Sequence, residues 1–172
     1  MARWTGLLPP GKGRGDGVPY GGKGKGILIH TLTEPSGMPL SNRTTPANGS
    51  EIDQVIPILD SVKLKTNKHG RPRKSLKVLA AEKGYDSKDK RAALGRRGIR
   101  RQWPKRVWKI KKNKSRPIKI SVLLFEQEPC FLWFQKKYRR LVVKWERISA
   151  CFDAFLSLAT IHIRINKTIL VG

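Results

Sequence analysis

Residues 76–98 read LKVLAAEKGYDSKDKRAALGRRG. Leu76 to Ala81 is a short apolar run closed by Glu82-Lys83-Gly84-Tyr85-Asp86, which predicts a buried strand ending in a turn. Ser87 stands where a hydroxyl can cap the free amides of the charged segment after it, and Gly98 is the stop signal. A strand followed at once by a helix is the unit of a mixed sheet-and-helix domain. Glu82 closes the strand at its carboxyl end, where open α/β sheets place their sites.

Working upstream, Ile27 to Thr33 (ILIHTLT) and Met38 to Thr44 predict two strands joined by a Glu34-Pro35-Ser36-Gly37 turn. Ser50 to Val62 has apolar residues at helical spacing with Ser50 as its cap, and Pro57 predicts a kink or a late start. A basic loop, KLKTNKHGRPRKS, follows. Residues 1–26 carry most of the glycines and predict a mobile basic segment with little to bury, separate from a domain over 27–172.

Downstream, Ile99 to Val107 predicts an edge strand and Trp108 to Pro117 a lysine-rich loop. Phe125, Leu132, Phe134, Tyr138 and Leu141 are the expected buried positions of a helix over 121–141. Ile148, Phe152, Phe155, Ala159 and Ile163 fall on one stripe of a long helix between Trp145 and Leu170. The pattern makes the chain α/β or mixed α+β.

Charge narrows the partners. The 172 residues hold 37 Lys and Arg against 12 Asp and Glu, so the net charge is 37 − 12 = +25. Such an excess draws the chain to polyanions, nucleic acid first, and is more than an acidic small-molecule substrate calls for. The contact set expected on this reading is Lys63, Lys65, Arg71, Arg73, Lys74, Arg100, Arg101, Lys105, Arg106, Lys109, Lys111, Lys112, Lys136, Lys137, Arg139 and Arg140. Trp103 and Trp108 are interleaved to stack on unpaired bases. His69-Gly70-Arg71-Pro72 has the form of a minor-groove hook, although a turn explains it equally well.

Other chemistry is thin. Neither GKGRGDG nor GGKGKG has the GxxxxGK[ST] spacing of a phosphate-binding loop. His30, His69 and His162 are scattered, and Cys130 and Cys151 make neither a disulfide framework nor a zinc site. The expected setting is reducing, cytoplasmic and nucleoid-associated, and no stretch reads as a signal peptide or a membrane span. Glu82, Glu126 and Glu128 could pair with basic residues, the commoner case, or hold divalent metal for phosphodiester cleavage.

Four blocks bear on that choice: GGKGKGILIHTLTEPSGMPLSNRTTPAN, VLAAEKGYDSKDKRAAL, RRGIRRQWPKR and FLWFQKKYRRLVVKWERISACFDAFLSLATI. In this order, they resemble the catalytic domain of bacterial insertion-sequence transposases of the DDE type, in the IS4-like group. The resemblance implies a ribonuclease H-like fold, a mixed sheet flanked by helices, with three acids around two Mg²⁺ or Mn²⁺ ions. It implies cleavage and strand transfer at the ends of a DNA element.

Matched residue by residue, the resemblance places the first aspartate within Ala2-Arg3-Trp4-Thr5-Gly6, which holds no acid, and Asp16 lies too far along to replace it. The second aspartate corresponds to Glu82, and Asp86 is the motif's other acid. The third corresponds to Glu128, with Phe131 and Trp133 in place but Pro129 and Leu124 where arginines are expected. Mg²⁺ requires near-octahedral oxygens at about 2.0–2.1 Å, so one extra methylene at position 82 misplaces the donor. Proline inside a helix costs about 3 kcal/mol. Glu82 and Glu128 are therefore the remaining candidate metal ligands, and productive metal binding is not expected.

The resemblance also implies a helix-turn-helix segment upstream and a sheet whose first strand is missing here, as in a truncated, degenerate copy. The expected partner is DNA, with full-length transposase as a second. Two rival roles are a basic accessory protein that occupies element ends and inhibits transposition, and an RNA-binding protein of ribosomal type.

Overall fold

The computed structural model describes residues 2–12, 18–22, 24–62, 76–103 and 137–169. Seven strands are present among them: β1 (Ala2–Leu7), β2 (Tyr20–Gly21), β3 (Gly24–Lys25), β4 (Ile27–Thr33), β5 (Pro39–Pro46), β6 (Val78–Ala80) and β7 (Arg100–Gln102). Three helices accompany them: α1 (Val55–Ser61), α2 (Lys88–Arg96) and α3 (Ser149–Ile169). The class is mixed α/β.

Five strands form one sheet in the order β5-β4-β1-β6-β7. β4 runs antiparallel to both β5 and β1, whereas β6 lies parallel to β1 and β7 parallel to β6. The expected hairpin is present, with Leu28 opposite Thr45 and His30 opposite Arg43. Every residue of β4 is buried, because both faces of the sheet are covered. On one face Trp4, Leu32 and Leu79 pack with Val55, Ile58 and Leu59 of α1 and Leu94 of α2. On the other, Ile27 and Ile29 pack with Phe152, Leu156, Ala159 and Ile163 of α3.

Two expectations for the amino-terminal region are overturned. The first strand is not missing: β1 is the central strand of the sheet. Ala2 and Trp4, two residues apart and both 1% exposed, lie on the same covered face, as the two-residue period of a strand requires. Nor do the described residues of 1–26 lie apart from the rest of the domain. A Cβ on Gly21 would lie 2.0 Å from the Ala47 carbonyl oxygen, and one on Gly26 would lie 2.3 Å from that of Pro9. Glycine there lets backbone pack on backbone.

The helix signals held with local adjustments. Before α1, residues 52–54 form a 3₁₀ turn, and Pro57 falls within the first turn of α1, where no intrahelical donor is lost. The Ser87 hydroxyl accepts from the Lys90 amide at 3.2 Å, and Gly98 adopts φ +67° after α2. Ile148 departs from the expected stripe: it precedes α3 and is exposed. The expected helix over 121–141 lies outside the described residues except at its end, where Arg139–Leu141 form a 3₁₀ turn.

Candidate functional site

The parallel pairing of β1 and β6, with Arg3 opposite Ala80, brings the carboxyl ends of both strands to one place. A recess of about 530 Å³ opens there, lined by Gly6 of β1, Ser50 and Glu51 before α1, and Glu82, Gly84 and Tyr85 after β6. Glu82 is exposed; its backbone carbonyl accepts from the Tyr85 amide at 3.2 Å, while its carboxylate makes no hydrogen bond or ion pair among the described residues. Two residues beyond the Arg3–Ala80 pair, its counterpart along the central strand is Thr5.

The second carboxylate in the recess is Glu51, which sequence reasoning did not single out. The Tyr85 hydroxyl donates to Glu51 Oε2 at 2.6 Å. That oxygen lies 3.0 Å from where a Cβ on Gly6 would stand, so the glycine at the end of β1 makes room for it. Burial first, then the bond to the Glu51 carboxylate, pushes the Tyr85 phenol well above its usual range. It is a fixed donor that holds a carboxylate. The edge of its ring meets Trp4, with centroids 5.7 Å apart.

Four residues after Glu82, Asp86 is buried and has a different task. Arg91 Nη1 donates to both of its oxygens, at 3.0 and 2.9 Å. The indole N–H of Trp103 donates to Oδ1 at 3.1 Å. This clamp ties the turn after β6 to α2 and to the residue following β7. Asp86 therefore serves the scaffold and does not line the recess.

The clamp corrects the reading of Trp103 as a stacking platform. The ring is 2% exposed and belongs to the core, because its N–H found a buried carboxylate.

The remaining site candidates divide. Arg100 is exposed and Arg101 half-buried on edge strand β7. Lys137, Arg139 and Arg140 are exposed before α3. Arg140 lies 3.6 Å from Glu146 and above the Phe155 ring. Glu128, Asp16, Lys63, Lys65, Arg71, Arg73, Lys74, Lys105, Arg106, Lys109, Lys111, Lys112, Lys136 and Trp108 lie outside the described residues. His30 is buried against Thr45 at 2.7 Å, and His162 accepts or donates to the Tyr138 hydroxyl at 2.6 Å.

The donor set of the recess does not fit a two-metal clamp, which draws on several converging carboxylates. β1 supplies none, Glu51 already accepts from Tyr85, and Glu82 stands alone. Among the described residues no group of three or more His, Cys, Asp or Glu converges. Among them, too, no helix is long and apolar enough to cross a membrane.

Fold and recess define a mixed α/β domain whose site lies where the central strand and its parallel neighbour end. Comparison with known proteins supplies the family. Residues 6–159 match the family described as the transposase DDE domain. A Burkholderia cepacia protein, by its name a transposase for insertion sequence element IS402, is 30% identical over 133 residues. The match covers 77% of this chain and 60% of that protein. No solved structure matches. The chain belongs to the DDE transposase family of insertion sequences.

Proposed function

We propose that this chain is a ribonuclease H-like transposase domain that retains affinity for DNA and performs neither strand cleavage nor strand transfer. The mixed sheet with helices on both faces supports the architecture. The observation that carries the loss of chemistry is β1 itself. The strand is present, central and well packed, and its sequence ARWTGL brings no carboxylate to the recess. Relatives in this family use divalent metal ions. Here Glu82 and Glu128 are the candidate ligands left, too few for the geometry Mg²⁺ demands. The +25 charge and the exposed Arg100, Lys137, Arg139 and Arg140 support binding to the DNA backbone.

Supercoiled plasmid incubated with the protein and Mg²⁺ or Mn²⁺ is expected to stay intact while migrating as a complex at low salt. Metal-dependent nicking that disappears in Glu128→Gln would overturn this reading. Binding without chemistry also makes the chain a competitor for element ends and a nucleoid-associated protein. Co-expression with an intact relative is expected to lower transposition; unchanged transposition at high expression would count against the competitor role.

A further inference from the structure

A second recess, of about 510 Å³, opens beside α3 and shares no residue with the one that Glu82 lines. The two are close in size and opposite in character. Glu51 and Glu82 line the first, whereas the second has three cations and no carboxylate among the described residues that line it. Its walls include Tyr138, Phe155, Leu158 and His162. Tyr138 and Phe155 pack against the core on the α3 face of the sheet, whereas Tyr85 belongs to the core on the α1 face.

These walls are held in place before any ligand arrives. The Tyr138 and His162 rings meet edge to face with centroids 5.8 Å apart, and the hydroxyl lies 2.6 Å from Nδ1. The Arg140 guanidinium stands over Phe155, 4.9 Å from the ring centroid, and reaches Glu146 at 3.6 Å. Walls already fixed lose less conformational freedom on binding. Arg139 differs: it is exposed, and its guanidinium makes no ion pair among the described residues.

We propose that this recess binds a single nucleotide, with the base against the aromatic walls and the phosphate at Arg139. The walls call for a flat, largely apolar body. Charge selects a phosphate over a carboxylate as its polar end. Lys137, Arg139 and Arg140 line one recess, and Glu146 offsets one of them. A phosphate monoester brings about −1.5 to −2 charges, more than the single charge of a carboxylate, and its oxygens match the guanidinium fork two at a time. A free nucleotide and an unpaired nucleotide on a DNA strand offer this same chemistry. Since the free form needs no DNA, the site does not rest on the affinity of the chain for DNA.

The test is calorimetric titration of the nucleic-acid-free full chain in about 0.15 M salt, where loose attraction between exposed charges is screened. Deoxyadenosine monophosphate is expected to bind with a dissociation constant of about 10–100 µM, a reasonable affinity for a ligand of its size. Deoxyadenosine and inorganic phosphate, each with half of the chemistry, are expected to bind at least tenfold more weakly. Arg139→Glu and Leu158→Glu, both at exposed positions of the recess, are expected to weaken the nucleotide at least tenfold with unchanged circular dichroism. Arg147→Glu, exposed and outside the recess, makes the same charge change as Arg139→Glu and is expected to stay within twofold of the wild type. Displacement by DNA separates the sources. A duplex ending in one unpaired adenosine that competes better than its blunt counterpart assigns the recess to a strand end; equal competition assigns it to the free nucleotide. A nucleotide that binds no tighter than inorganic phosphate, or that is weakened equally by Arg139→Glu and Arg147→Glu, overturns the proposal. Plasmid retardation that persists beside such a result would leave the DNA affinity of the chain standing.

Discussion

Glu82 and Asp86 sit four residues apart in one motif, and the structure treats them in opposite ways. Asp86 is buried, held by both Arg91 contacts and by the Trp103 indole. The Glu82 carboxylate faces an open recess and touches no fixed partner among the described residues. The part of the motif that holds the turn together is intact, whereas the part facing the recess stands beside a central strand with no acid. Burial and paired charges stabilise the scaffold whether or not anything reacts in the recess.

The largest effect expected from this contrast is at Asp86. Asp86→Ala leaves the Arg91 guanidinium and the Trp103 N–H without their acceptor and is expected to cost about 3–5 kcal/mol, read from the urea midpoint. Next is Gly21→Ala, whose methyl would meet the Ala47 carbonyl oxygen; about 1–3 kcal/mol is expected from forced backbone displacement. If Gly21→Ala costs nothing, the glycine-rich region is not packed as described.

Tyr85→Phe removes one hydrogen bond to Glu51 and is expected to cost about 1 kcal/mol at neutral pH. It has a pH signature as well. The folded phenol keeps its proton above the ordinary value of 10.0, so the unfolded chain ionises first as pH rises. The contribution of Tyr85 is therefore full below pH 10.0 and is lost progressively above it. Alkaline unfolding curves of the wild type are expected to fall more steeply above that pH than those of Tyr85→Phe. The smallest effect belongs to Glu82→Gln, expected within about 0.5 kcal/mol of the wild type. A cost at Glu82 comparable with that at Asp86 would erase the contrast between the two acids.

Much of the scaffold was legible because its signals are local. The ILIHTLT strand and its hairpin partner, the Ser87 cap and the Gly98 stop each depend on a few neighbouring residues, and each is where its pattern placed it. The strand of Ala2–Leu7 was obscured by the glycines after it, although its alternation of Ala2 and Trp4 with Arg3 and Thr5 was readable. Trp103 could not be sorted between exposed platform and core ring, since nothing nearby in sequence names the Asp86 carboxylate as its acceptor.

The sequence by itself determined the charge, the family and the absence of an acid in ARWTGL, because these are properties of composition and order. Only the tertiary structure decided that this acid-free strand is the middle of the sheet, that Glu51 is held by Tyr85 at its end, and that the charged side chains of α3 bond to β5 and the turn before it. Those facts depend on residues far apart in the chain meeting in space, and long-range contacts of that kind leave no periodic trace in either segment alone.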